Sequence, residues 1–337
     1  MKIGKNNNGF RFLSLLVLIC MLVTLSNTVY VSADESDTEV FGDDTEVTGK
    51  EFEYEGLKYY VDITQNTAVV AGSTESSIKT LDIPDVITYE GSSVKVVGIN
   101  AYAFEASGLT SVKIGANVLE IGDGAFAFSD KLKKIAVPKK CTKIGNAAFF
   151  MCDSLSKVSF NKKAKLMTIG AGAFAGTAIT SITIPNSITS IGDASFSECR
   201  SLVSVTLGKK LKSIGEGAFA ACNSLSTIKK ASGNDYLEIE ENIIYSAGFE
   251  ELICGAAVTG DFKVKQGTQT IRARAFEGNE AVISVEIPDS VTLIGECAFI
   301  NCLSLEKVTV WGGFKETEAN IFYGCDNLKM IVCGGEG

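Results

Sequence analysis

The apolar positions of this chain repeat every 22 to 25 residues over most of its length, with one longer interval of 57 residues. One copy of the unit reads Ile-Gly-Asp-Ala-Ser-Phe-Ser-Glu-Cys-Arg-Ser-Leu-Val-Ser-Val-Thr-Leu, from Ile191 to Leu207. Its phenylalanine recurs in every copy and marks nine of them: Phe104, Phe126, Phe149, Phe174, Phe196, Phe219, Phe276, Phe299 and Phe322. A period in this range predicts a solenoid of stacked supersecondary units, here with about nine repeats.

Each repeat is predicted to consist of three short pieces. The first is a short strand that ends at an isoleucine five residues before the phenylalanine, and glycine follows this isoleucine in six of eight copies. Such a glycine indicates a turn with positive φ or a close approach of two backbones. The second piece is an Ala-Phe turn, too short for more than one helical or 3₁₀ turn. The third is a strand of alternating apolar residues, such as Ile135 and Val137.

Two segments depart from the repeat. Residues 51–76 alternate aromatic and aliphatic side chains around a turn at Gln65 and Asn66, which predicts an N-terminal β-hairpin that caps the array. The 57-residue interval contains further alternating runs, which predict a hairpin insertion at about residues 231–263 that projects from the stack. The repeat array itself is expected to cover residues 77–333.

The N-terminus has the pattern of a secretory signal. Three basic residues are followed by an apolar run at 12–25, and Val31-Ser32-Ala33 offers a cleavage site. A membrane helix is the alternative, but this run of 14 residues is shorter than the roughly 20 needed to cross a bilayer. We therefore expect a signal peptide at 1–33, a solvated acidic linker at 34–50, and a secreted or surface-displayed protein that is not inserted in the membrane after the signal is removed.

The charge of the chain argues against some partners. The formal net charge is −9, and removal of residues 1–33 leaves 28 basic and 40 acidic residues, a net charge of −12. Nucleic acids and anionic membranes both require a positive face on the protein. We therefore expect neither as a partner.

The ten cysteines follow the repeat instead of a disulfide framework. Five of them lie three residues after the marker phenylalanine, where other copies carry Ser, Thr or Asn: Cys152, Cys199, Cys222, Cys302 and Cys325. A position shared by these residue types predicts a tight, partly buried turn in which the thiol is a small apolar group. Nine cysteines remain after removal of the leader, so at least one is unpaired.

The chain contains no histidine, which removes Ser-His, Cys-His and His-metal arrangements. It also contains no Cys-x-x-Cys spacing that would indicate zinc. Glu238, Glu240 and Glu241 lie close together, but a solvated acidic face explains them better than a catalytic carboxylate pair. The sequence therefore predicts no enzyme activity, no metal and no cofactor.

The outward positions of the predicted strands form the candidate binding surface. They make two columns rich in Ser, Thr and Lys that could dock an extended or acidic partner by hydrogen bonds and charge. The alternative is that these residue types suit any exposed strand. Trp311 follows one such strand, either as a binding residue or as a cover for the end of the array. The candidate ligand-binding residues are Lys113, Lys134, Lys157, Ser181, Thr183, Ser204, Thr206 and Lys307.

The repeats resemble the BspA-like leucine-rich repeat of bacterial secreted and cell-surface proteins. The resemblance is carried by Ile-Pro-Asn-Ser-Ile-Thr-Ser-Ile-Gly-Asp-Ala-Ser-Phe-Ser-Glu-Cys-Arg-Ser-Leu at 184–202 and by Ile-Pro-Asp-Ser-Val-Thr-Leu-Ile-Gly-Glu-Cys-Ala-Phe-Ile-Asn-Cys-Leu-Ser-Leu at 287–305. It implies a curved, right-handed, mostly β superhelix with short helical or 3₁₀ turns. The Leu-x-x-Val-x-Ile strands would line its concave face.

The resemblance also implies a function in adhesion or protein–protein interaction through the concave sheet. The hypothesised partner is an extracellular protein, either of the host matrix or on another cell. Two alternatives stay open at this point: a structural spacer or stalk of a surface assembly without a dedicated ligand, and a carbohydrate-recognition module.

Overall fold

The structure, a computed structural model of the chain, describes residues 49–161, 163–312 and 316–334. The predicted signal peptide lies outside the described residues, and so does the predicted acidic linker except for its last two residues. The described residues form a solenoid in which each repeat adds one short and one longer strand to two parallel ladders. The prediction of a repeat solenoid is confirmed.

The short-strand ladder is built around the isoleucine that precedes each marker phenylalanine. Neighbouring strands pair in parallel with isoleucine opposite isoleucine, as Ile169 lies opposite Ile191, and these side chains are buried. β-branched side chains suit this buried, pleated position. The strands are Glu120–Ile121, Lys143–Ile144, Thr168–Ile169, Ser190–Ile191, Ser213–Ile214, Thr270–Ile271, Leu293–Ile294 and Glu316–Thr317.

The long-strand ladder carries the alternating residues. Its buried positions are aliphatic or aromatic, such as Ile182 and Val205, while the positions between them face outward. The ladder consists of four separately hydrogen-bonded pieces. Its strands are Thr80–Asp82 and Ser111–Lys113; Lys134–Val137 and Lys157–Phe160; Ser181–Thr183, Ser204–Leu207 and Thr227–Lys230; and Gly260–Lys263, Val282–Ile287, Lys307–Val310 and Met330–Cys333.

The marker phenylalanines stack in a column between the two ladders. Phe174, for example, is fully buried, and its ring centroid lies 5.2 Å from that of Phe149 and 5.4 Å from that of Phe196. The planes of these rings are within 4° and 11° of parallel. Burial of one phenylalanine side chain contributes about 2–3 kcal/mol, so the column is a major part of the core.

The Ala-Phe segments differ from the expected short helices. Among the described residues the only 3₁₀ helix is Ala247–Phe249, outside these segments. In every repeat the residues two before and two after the phenylalanine have positive φ, as Ala194 (50°) and Glu198 (54°) do around Phe196. Helical turns require negative φ. The chain therefore makes two left-handed bends and returns with a sharp reversal, which directs the ring inward.

The glycine after each isoleucine is required by close approach of backbones. A Cβ atom on Gly192 would lie 2.5 Å from the backbone nitrogen of Ala171 in the preceding repeat, although the φ of Gly192 is not in the left-handed region. Equivalent glycines have the same clash. The two copies without glycine carry Asn100 and Arg272, which follow the N-terminal strands and the insertion instead of a regular repeat.

At the N-terminal end of the described residues the structure has a three-stranded antiparallel meander in place of the expected single hairpin. Its strands are Lys50–Tyr54, Leu57–Asp62 and Thr67–Ser73. The extra turn at residues 55 and 56 has two positive φ angles, which a tight hairpin requires. Thr67–Ser73 then pairs in parallel with Ser92–Ile99, which itself forms a hairpin with Val86–Tyr89. The short-strand ladder continues from there.

The 57-residue interval contains a hairpin and a truncated repeat. The hairpin strands are Leu237–Glu240 and Ile243–Ser246, and the side chain of Tyr245 is buried, so the hairpin packs against the array instead of projecting from it. After the 3₁₀ turn, Glu251–Cys254 pairs with Thr270–Ile271 and supplies the missing short strand. Gly260–Lys263 supplies the long strand.

Candidate interaction surface

The outward columns of the long-strand ladder are formed by residues in direct register. Ser181 lies opposite Ser204, and Thr183 lies opposite Thr206. Both residues of the first strand are exposed and those of the second are half-buried. The structure therefore brings these four predicted site residues together as one flat hydroxyl-bearing patch, continued by Thr227 in the next strand.

Two of the predicted lysines form a compact positive site. Lys134 and Lys157 lie opposite each other in adjacent parallel strands, and both are exposed. Within the part of the chain that the structure describes, neither has an ion-pair partner. Adjacent strands are about 4.8 Å apart, so two like charges are held side by side on a chain that is acidic overall. Such a pair favours an anionic group placed between the two ammonium groups.

Lys113 differs from these two lysines because it already has a partner. Its Nζ atom lies 2.8 Å from one carboxylate oxygen of Asp82 and 3.0 Å from the other. The hydrogen bond and charge of Asp82 raise the pKa of Lys113. Lys307 lies in another piece of the ladder, opposite Ser284 and Met330. The eight predicted residues are thus distributed over all four pieces, and Lys113 and Lys307 do not join the other groups.

Trp311 is half exposed, and its indole is fixed by a polar network. The Nε1–H group donates a hydrogen bond of 2.9 Å to Glu286, and the other carboxylate oxygen of Glu286 lies 2.7 Å from the Nζ atom of Lys263. Lys263 foremost, together with the indole, holds the pKa of Glu286 below its usual value. The sequence analysis named Trp311 alone, since Glu286 and Lys263 are distant from it along the chain.

The cysteines three residues after each phenylalanine donate hydrogen bonds between repeats. The Sγ atom of Cys152 lies 3.1 Å from the carbonyl oxygen of Phe126, and Cys222 makes the equivalent contact with Phe196. Ser129 uses its hydroxyl in the same position to reach the carbonyl of Phe104. Burial raises the pKa of Cys152 to about 12. These thiols are free and buried, so they act as structural donors and not as nucleophiles.

The acidic residues of the insertion are held in ion pairs. Glu238 lies 2.8 Å from Lys230, and Glu240 pairs with Lys265. Within the described ranges no group of three or more Cys, Asp or Glu side chains is arranged to hold a metal ion. The same residues contain no helix of the length and apolar character that a bilayer crossing requires.

These features define a class of protein: a repeat solenoid that presents an extended surface for protein interaction, of a fold that is typically non-enzymatic. Models of the BspA type leucine-rich repeat region match residues 74–179, 167–259 and 254–335. The chain therefore belongs to the BspA-type leucine-rich repeat family, as the repeats indicated. A comparison with curated proteins gives no match.

Solved structures of bacterial leucine-rich repeat proteins share the fold. A leucine-rich cell surface protein of Faecalibacterium prausnitzii is 24% identical over 84% of this chain and 88% of that one, with a TM-score of 0.60. The pneumococcal vaccine antigen PcpA is 19% identical over 85% and 82%, with a TM-score of 0.65. A leucine-rich repeat protein of Bacteroides ovatus is 25% identical over 85% and 78%, with a TM-score of 0.58.

Proposed function

We propose that this protein is a secreted or surface-displayed, non-catalytic adhesin that binds an acidic segment of an extracellular protein through its long-strand ladder. The observation that carries the proposal is the in-register pair Lys134 and Lys157, exposed on a chain of net charge −9. An extended partner segment could lie along the ladder, with its carboxylates against the two lysines. The neighbouring hydroxyl-bearing patch would supply hydrogen bonds further along the same face.

The cell-surface setting is supported by the family and by the leucine-rich cell surface protein of Faecalibacterium prausnitzii, which shares the fold. The non-catalytic role is supported by the composition of the chain, which lacks histidine, and by the ion pairs that hold the insertion carboxylates. A ladder of small polar side chains is suited to surface contact and encloses no reaction space.

The test is binding of the purified protein to an array of extracellular matrix proteins, measured at increasing salt concentrations. We expect saturable binding that weakens as salt is added, because exposed charge pairs are screened. The double variant Lys134→Glu/Lys157→Glu should lower the affinity at least about tenfold. Its matched control is Lys209→Glu/Lys210→Glu, which changes the net charge equally at two exposed positions outside the ladder strands.

Lys113→Glu should have a smaller effect than the double variant, because Asp82 already neutralises this lysine. Equal losses in the double variant and its control would show that overall charge, and not this surface, determines binding. Absence of saturable binding to every array member would instead support the alternative of a structural spacer without a dedicated ligand.

A further inference from the structure

The insertion and the last repeats enclose a groove that the repeat pattern alone does not produce. It has a volume of about 550 Å³ and lies between the hairpin of the insertion and the ends of the long strands. This volume is within the range of small-molecule sites. Its lining includes Glu240, Glu241 and Tyr245 from the hairpin, and Glu286, Asp289 and Trp311 from the repeats.

The hairpin wall of the groove is held in place at its tip. Glu241 and Asn242 have φ angles of 50° and 63°, which are typical of a tight two-residue hairpin turn. The side-chain oxygen of Asn242 accepts a hydrogen bond of 3.0 Å from the backbone N–H of Ile228 in the ladder. Lys265 also joins the two walls, because it pairs with Glu240 and lies 3.8 Å above the ring of Phe249.

Trp311 provides a fixed aromatic wall on the other side. Its side chain is 52% exposed, while its Nε1–H group is bound to Glu286. The backbone of Gly334 packs against the indole, since a Cβ atom there would lie 2.6 Å from Cε3 of the ring. An exposed indole that is already held in one orientation loses little conformational freedom when a ligand stacks on it.

The charges of the groove are largely neutralised in pairs. Lys263 pairs with Glu286 and Lys265 pairs with Glu240. Asp289 accepts a hydrogen bond of 2.9 Å from the side-chain amide of Gln266. A cationic ligand would meet the two lysines, and an anionic ligand would meet the carboxylates. A neutral ligand with many hydroxyl groups meets neither penalty, because each hydroxyl both donates and accepts.

We propose that this groove binds a neutral oligosaccharide, with one sugar ring stacked on Trp311 and its hydroxyl groups bonded to Glu241, Glu286 and Lys263. Glu241 is an available acceptor, as it makes no hydrogen bond or ion pair within the described part of the chain. The apolar face of a sugar ring fits the flat indole, while its rim of hydroxyls fits the surrounding carboxylates and amide. This site is separate from the lysine pair on which the proposed adhesion rests.

The chain offers a direct probe of this site, because Trp311 is its only tryptophan. The experiment is a fluorescence titration of the purified protein with neutral hexasaccharides of glucose, mannose and N-acetylglucosamine in β1–4 linkage, beside hexalysine and hexagalacturonate. We expect a saturable change in emission with at least one neutral sugar and none with the two charged probes. A saturable response confined to hexalysine or hexagalacturonate, or no saturable response at all, would overturn the proposal.

Variants locate the binding by titration calorimetry with the sugar that responds. Trp311→Ala and Glu241→Gln should each weaken binding, the first by at least about tenfold. The matched control is Tyr323→Ala, which removes a 64% exposed aromatic side chain that does not line the groove. Both aromatic positions are exposed, so neither change should unfold the protein. Unchanged affinity of Trp311→Ala would place the sugar elsewhere and refute the site.

Discussion

Removal of one ring from the phenylalanine column tests whether the column supports the solenoid. Phe174 is the suitable position because it is fully buried and has a stacked ring on each side, at 5.2 and 5.4 Å. Truncation of a buried phenylalanine to alanine costs about 3–5 kcal/mol. The two stacking contacts place Phe174→Ala toward the upper end of this range, since each aromatic pair adds about 0.5–1.5 kcal/mol.

The matched control is Phe128→Ala. This ring is 40% exposed and makes one edge-on contact with Phe150, at 5.3 Å between centroids. We expect a cost of no more than about 1–2 kcal/mol, because less apolar area is removed from burial. The free energy of unfolding is measured by urea titration with far-UV circular dichroism. A loss below about 1.5 kcal/mol for Phe174→Ala, or equal losses for both variants, would refute the role assigned to the column.

The same titration followed by Trp311 fluorescence reports on a different part of the array. The buried side chains form two clusters, one over residues 57–257 and one over 243–328, and Phe174 belongs to the first. Stability in a repeat array is transmitted between nearest neighbours. We therefore expect Phe174→Ala to lower the fluorescence midpoint less than the dichroism midpoint. Equal shifts would show that the array unfolds as a single unit.

Further changes test single contacts. Gly192→Ala should cost at least about 2 kcal/mol in urea titrations, because its Cβ meets the backbone of Ala171. Cys152→Ser should stay within about 1 kcal/mol of the parent, whereas Cys152→Ala should lose about 1–3 kcal/mol, since only serine keeps a donor to the Phe126 carbonyl. In native protein, Ellman's reagent should label the exposed Cys333 well before the buried thiols. Burial raises the pKa of Cys141 to about 12; an unfolded thiol ionises near 8.5, so stability should fall by about 1.4 kcal/mol per pH unit between these values, and Cys141→Ser should remove this component from thermal melts.

The repeat pattern was sufficient to predict most of the fold, because each position of the unit has one physical role. Isoleucine, phenylalanine and the alternating strand residues each occupy the same buried place in every turn of the solenoid. The glycine after isoleucine left two explanations open, positive φ or close approach. The structure selects the second, since a Cβ atom on Gly192 would contact the preceding backbone. The two left-handed residues of each turn had no common residue type, as Ala194 and Glu198 show, and so gave no signal.

The candidate surface was predicted less completely than the fold. Register followed from the repeat, so the pairing of Lys134 with Lys157 and of Ser181 with Ser204 could be anticipated from spacing. The partner of Lys113 could not, because Asp82 belongs to a strand before the first marker phenylalanine. Ion pairs between side chains on neighbouring strands depend on rotamers that the repeat does not specify.

The insertion explains why a regular array has a groove at one place. Identical repeats stack into flat ladders, which offer surface but no concavity. The truncated repeat lacks the phenylalanine turn, and Gly255 occupies the place of the ring: its N–H donates to Ala275, as the phenylalanine N–H groups do to the next repeat. A Cβ atom on Gly255 would overlap the ring of Phe276. The chain saved in this turn is used in the hairpin, which forms a wall beside Trp311. The break in the sequence period therefore marks the position where the solenoid can enclose a small ligand, and a search for such sites in related arrays should begin at the irregular interval.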